Sequence, residues 1–206
     1  PIEYAVWAKA QAASAEILDG ARRREIAEIC LNNIDVARKR IESGIVRLKA
    51  DATSREAFGI MNRVMARANR QRASTLDGRA PDQQRAPTWR LFQLAFILLN
   101  IDGLVDPTHQ DRPLVDLLFF PTGGGKTEAY LGLSAYTMGL RRLQGVIAGR
   151  VGDEGVAVLM RYTLRLLTIQ QFQRATALIC ACESIRRKAL EQGDARWGKT
   201  PFRIGL

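Results

Sequence analysis

The stretch Leu117-Leu118-Phe119-Phe120-Pro121-Thr122-Gly123-Gly124-Gly125-Lys126-Thr127 decides how the chain is read. An apolar run closes on three glycines, then a lysine and a threonine, and a helix-forming segment follows. This is the order of a phosphate-binding loop between a strand and a helix. Glycines let the backbone curl until successive N–H groups face the same phosphate oxygens. Lys126 would reach the β- and γ-phosphates, the Thr127 hydroxyl would hold Mg²⁺, and the helix would add its positive dipole end. Pro121 to Glu128 is therefore read as a nucleoside triphosphate site.

Outward from the loop, Leu114 to Phe120 is almost continuously apolar, as a strand buried on both faces should be. Thr127 to Leu143 supplies the helix. The strict pattern G-x-x-x-x-G-K-[ST] would place a glycine where this chain has Phe120. Downstream, Gly155 to Met160 reads as a second strand, Leu164 to Leu190 as helix, and the chain ends as another strand begins. Connections of this length suit right-handed crossovers. The expected fold class is α/β, a parallel sheet over residues 89–206.

Residues 1–73 read differently. Tyr4 to Leu18 predicts a helix closed by Asp19-Gly20. Arg22 to Ser43 carries Ile26, Ile29, Cys30, Ile34, Ala37 and Ile41 at spacings of three and four, with Gly44 as a left-handed cap. Thr53-Ser54-Arg55-Glu56 looks like a capping box for a helix to about Ala73, with Phe58, Met61, Met65 and Ala68 inward. No chemistry attaches to this region. Residues 74–88, with two prolines and Gly78, read as a linker or mobile loop before a strongly apolar helix, Trp89 to Ile101, capped by Thr88.

The chain has 206 residues, 47% of them hydrophobic, enough for one or two packed domains. It opens on Pro1 and stops within an apparent strand, so a piece of a longer protein is expected. No apolar stretch reaches the ~18 residues of a membrane span, and no signal-peptide pattern opens the chain. Cys30, Cys180 and Cys182 are too few for a disulfide framework, and Cys180-x-Cys182 has no histidine nearby, so buried thiols in a cytoplasmic protein are expected. Net charge is +10, from 31 basic and 21 acidic residues, with the excess heaviest across residues 21–90. Such a balance favours polyanions, nucleic acid above all, although an arginine-rich solvated surface reads the same way.

Two further stretches narrow the class. Trp89-Arg90-Leu91-Phe92-Gln93 resembles the adenine-reading element of superfamily 2 helicases, where a glutamine amide offers the donor and acceptor that adenine's edge requires. Arg161-Tyr162-Thr163-Leu164-Arg165 stands where those helicases grip a nucleic-acid backbone, and hydroxyls and arginines at a helix start suit phosphates. The spacing from Thr163 to Gln170 is seven residues, where six is usual. With Pro121-Thr122-Gly123-Gly124-Gly125-Lys126-Thr127 between them, the three stretches resemble a superfamily 2 helicase, most of all the helicase component of the DISARM anti-phage systems. The likeness is densest over residues 87–206. It implies a RecA-like fold, truncated here, in a DNA-dependent ATPase that uses ATP and Mg²⁺ and works with companion defence subunits. It further implies base recognition by Arg90, Phe92 and Gln93, catalytic charge neutralisation by Lys126, and DNA contacts at Arg161, Thr163 and Arg165.

Hydrolysis also needs a carboxylate on Mg²⁺ and a residue that positions water. The adjacent pair Asp153-Glu154 precedes a predicted strand, the wrong end for that role, and the single histidine, His109, lies in an Asp-rich turn. The sequence thus carries a phosphate grip without hydrolytic machinery. Two readings of the whole protein stay open: an ATP-driven helicase or translocase, and a helicase-like ATP switch that clamps DNA or a partner without unwinding. A P-loop ATPase unrelated to helicases is a third, weaker reading.

Overall fold

The computed structural model describes residues 2–121, 123–161 and 165–205, with backbone alone for 165–168. Six helices dominate it: α1 Ile2–Glu16, α2 Ala21–Ala50, α3 Ala52–Asp77, α4 Leu91–Val105, α5 Lys126–Gln144 and α6 Arg165–Glu191. The strands β1 Val146–Ile147 and β2 Arg150–Val151 pair antiparallel, Val146 opposite Val151 and Ile147 opposite Arg150. Ala148 and Gly149 turn the hairpin with positive φ, as a two-residue type I′ loop requires.

The expected parallel sheet, and with it the RecA-like α/β fold, is overturned. Among the described residues the two-stranded hairpin is the whole sheet. Residues 114–120, 155–160 and 201–205 carry no strand. An apolar run becomes a buried strand only where neighbours complete its hydrogen-bond ladder and cover its faces. These runs have no such neighbours among the described residues, so Val115, Leu117, Phe119 and Leu159 are each more than 85% exposed. Segment 111–120 is fixed instead by ion pairs. Arg40 of α2 donates to both Asp116 carboxylate oxygens, at 2.6 and 2.8 Å, and its Nε lies 3.0 Å from Asp111.

One core joins α3, α4, α5 and α6. Ile60, Met61 and Val64 of α3 pack with Ile97 and Ile101 of α4, Tyr136 and Leu140 of α5, and Leu178 of α6. A buried hydrogen bond of 2.7 Å ties Ser54 of α3 to the Tyr136 hydroxyl. Asp51, and not the expected capping box, starts α3 by accepting from the Ser54 N–H at 3.0 Å. By contrast α1 buries no residue, and Ile26 and Ile29 of the predicted α2 stripe are exposed.

Gly44 is not a cap. It lies inside α2, where the Leu98 carbonyl oxygen of α4 stands 2.0 Å from the position of a Cβ. Ser43 and Arg47 flank the crossing and hold the buried Asp102 of α4, Arg47 at 2.7 Å. A side chain at residue 44 would push the helices apart. Alanine there is expected to destabilise the fold by about 2 kcal/mol, overpacking outweighing its better helix propensity. A melting temperature unchanged in Gly44→Ala would refute this close crossing.

The C-terminal segment is stapled to α5 and α6. Buried Arg142 of α5 donates to the Trp197 carbonyl at 3.2 Å, stacks 4.4 Å from the Phe202 ring centre and pairs with Asp153 at 3.5 Å. Glu183 of α6 accepts from Arg186, Arg187 and the Phe202 N–H. Hydrogen bonding from Arg186 foremost, then Arg187 and Phe202, holds its carboxyl at about 2 against an ordinary 4.5. A depressed carboxyl stabilises fully above its unfolded pKa and loses that contribution as pH falls through the folded one. Thermal stability should therefore decline from about pH 4.5 toward pH 2 through this group, and Glu183→Gln should flatten that part of the melting profile.

Candidate nucleotide-binding site

The loop before α5 is clamped to the first turn of α4 at three points. Arg90 donates to the Gly124 carbonyl at 2.7 Å, Gln93 Nε2 donates to the Gly125 carbonyl at 2.8 Å, and the Phe92 and Phe120 rings stack 4.0 Å apart at 10°. Gln93 is 4% exposed, and its Oε1 accepts from the Arg90 N–H at 2.8 Å, which caps α4. A buried amide needs partners at both ends, and here both lie within the protein. In this arrangement Gln93 acts as a strut between α4 and the loop.

The clamp sets where the loop's donors point. A trans peptide is planar, with each C=O antiparallel to the next N–H. Drawing the Gly124 and Gly125 carbonyls onto α4 turns the N–H groups of Gly125 and Lys126 away from it. Neither N–H has an acceptor among the described residues. Glycine is required at both positions. Gly125, at φ +93°, would place a Cβ 2.7 Å from Gln93 Nε2, and a Cβ on Gly124 would lie 2.3 Å from the Phe120 ring. Phe120, at the glycine position of the strict motif, is thus part of the clamp.

Lys126 opens α5, and its ammonium folds back to donate to the Phe120 and Pro121 carbonyls. Glu128, in the same first turn of α5, pairs with Arg174 of α6. Thr127 and Gly123 line the same cavity of about 1040 Å³. Thr122 and Thr163 lie outside the described residues, as does the side chain of Arg165. Arg161 is exposed and borders a different cavity, of about 1010 Å³, shared with residues 152–160 and 200–205. Asp153 serves Arg142 and the Thr200 N–H in that second region.

Three parts of the first cavity were not read from the sequence: Arg174 of α6, Arg85 of the connecting segment, and a wall of α3. The α3 wall contains Asn62, Asn69 and Arg72 at offsets of seven and ten, which keep them on one helical face. That spacing was legible, yet polar residues on such a face look no different from a solvated surface. Trp89 closes this side, donating to Asn62 Oδ1 at 2.7 Å and lying over Gly132 of α5. Among the described residues no three His, Cys, Asp or Glu side chains gather as a metal site. Of the three cysteines only Cys182 is buried, its thiol pushed up to about 12 by burial. No helix of the described residues is long and apolar enough to cross a membrane.

Gln93→Ala should release the loop while leaving the core intact. Losing its hydrogen bonds, about 1–2 kcal/mol, should speed amide exchange about tenfold at Gly124, the loop N–H that is bonded, to the Pro121 carbonyl. Unchanged exchange there would show that the strut is not what holds the loop.

No family model matches the sequence. Comparison with characterised proteins finds 39% identity over 197 residues to "DISARM protein DrmA" of Bacillus paralicheniformis. That alignment takes in 92% of this chain and 17% of that protein, so the chain spans about a sixth of its relative's length. Identity at this level along nearly its whole length makes the chain a relative of a DISARM protein.

Proposed function

We propose that this chain binds the triphosphate of ATP, with Mg²⁺, in the loop from Pro121 to Glu128, as part of an ATP-driven protein of anti-phage defence. The observation that carries the reading is the clamp. It holds two unpartnered N–H groups beside the Lys126 ammonium at the positive end of α5, the arrangement that a phosphate needs. Thr122, Gly123, Gly124 and Gly125 supply the loop backbone. Lys126 leaves the loop's own carbonyls for phosphate oxygens, neutralising their charge. Thr127, which borders the cavity and has no side-chain partner among the described residues, offers the hydroxyl for Mg²⁺. The metal, when bound, offsets charge on the phosphates.

In the whole protein this grip would serve a DNA-dependent ATPase, a helicase or translocase acting with companion defence subunits. Support comes from the resemblance of the three motifs, the likeness to a DISARM protein and the charge of +10. Arg161, Thr163 and Arg165 are the proposed DNA contacts, so affinity for DNA should fall steeply with salt. The 206 residues by themselves bind without turnover. Glu128 is the one carboxylate bordering the cavity among the described residues, and it is paired with Arg174.

Calorimetric titration of the chain with MgATP tests the reading. Binding should weaken at least ~10-fold in Lys126→Ala, the loss of a charge-assisted contact. Equal affinity in wild type and variant would defeat it, and Lys126-dependent hydrolysis by these residues alone would defeat the claim of binding without turnover.

A further inference from the structure

The site just proposed has a base-recognition problem. Gln93, the residue whose type suits adenine, has both amide functions engaged on Arg90 and Gly125. The cavity continues past the loop, however, to a second group of polar side chains on α3 and the segment after it. Asn69 donates its Nδ2 to the Met65 carbonyl at 3.0 Å, and its Oδ1 has no partner among the described residues. Arg72 and Arg85 border the same space, and neither pairs with a carboxylate among the described residues. Met65, Pro87 and Trp89 give this end an apolar lining.

We propose that Asn69, with Arg72 and Arg85, forms the subsite that reads the adenine base of the nucleotide held by the loop. Adenine's edge places an amino donor beside a ring-nitrogen acceptor, whereas guanine's corresponding edge offers two acceptors. An oxygen acceptor next to guanidinium donors is the complement of the first pattern. The apolar lining accepts the faces of a flat ring, which an ordinary nucleotide pocket also does. Asn62, seven residues earlier on the same face, is excluded from this role. Its Oδ1 already accepts from Trp89, and its Nδ2 donates to the Phe58 carbonyl. This assignment gives the N-terminal helical region a share in the site, and it rests on the triphosphate reading of the loop.

The test separates the two. Calorimetry on the whole chain compares Mg²⁺–tripolyphosphate, which has no base, with MgATP and MgGTP. Expected is Lys126-dependent binding of all three, ATP about tenfold tighter than tripolyphosphate or GTP, the worth of about one or two hydrogen bonds. Asn69→Ala, at a half-buried position and checked by thermal melts, should remove ATP's advantage while leaving tripolyphosphate affinity unchanged. Arg72→Ala, at an exposed position, should lower all three affinities through lost charge and remove ATP's advantage as well. If both folded variants keep that advantage, the base subsite is overturned and the phosphate reading stands. If wild type binds neither tripolyphosphate nor ATP, both are overturned.

Discussion

The amide of Gln93 is the constraint on which the site depends. It is buried, and a buried amide with one end unsatisfied is unfavourable by about 1–3 kcal/mol. Its oxygen needs the Arg90 N–H, which fixes where α4 begins, and its nitrogen needs the Gly125 carbonyl, which fixes where the loop lies. The first turn of α4 and the first residue of α5 are therefore set by one side chain. Since α4 is itself held where the Leu98 carbonyl abuts Gly44 and where Asp102 accepts from Arg47, α2 contributes to the loop's position without approaching it. A change at the α2–α4 crossing would move the strut, and with it the direction of two backbone donors.

α3 supplies the other wall. Its Ser54 bonds Tyr136 of α5, and its Asn62 accepts from Trp89, whose ring edge lies over Gly132 of α5. The segment leading into α4 is thus pinned between α3 and α5. Helices that the sequence leaves without chemistry form the framework, and a face of one of them borders the cavity. Close approach does much of this work. Gly44, Gly125 and Gly132 each stand where another residue's atoms occupy the space of a Cβ.

Periodicity and caps made the helices legible, because a 3.6-residue apolar stripe reports burial on one side whatever lies there. α3 and α5 fall close to expectation, and the glycines 123–125 stand at the head of a helix as expected. Gly44 was misread for a physical reason: a glycine near a helix end and a glycine under a crossing helix look identical without the partner. The apolar runs at 114–120 and 155–160 misled for a related reason. Uniform apolarity fits a two-sided strand, but strand formation is decided by neighbours, which the run itself does not contain. Gln93 has the right type for two tasks, reading an edge and bracing a turn; its distances to Arg90 and Gly125 show the second, which residue type alone did not single out.

Segment 111–120 shows how a loop can be placed without a strand beneath it. Arg40 holds its acidic end through Asp111 and Asp116, and the stack of Phe120 on Phe92 holds the other. Between these anchors Val115, Leu117 and Phe119 face solvent. At the cavity that follows, Lys126, Arg90, Arg72 and Arg85 meet one carboxylate, Glu128, already committed to Arg174. Like charges gathered around a cavity repel one another in the folded state, so an anion placed there relieves repulsion as well as forming its own contacts. Binding and folding are thereby linked, since a ligand that binds only the folded chain stabilises it in proportion to its affinity. The same excess of cations that makes the loop region unfavourable when empty is the electrostatic ground for proposing a polyanion as its ligand.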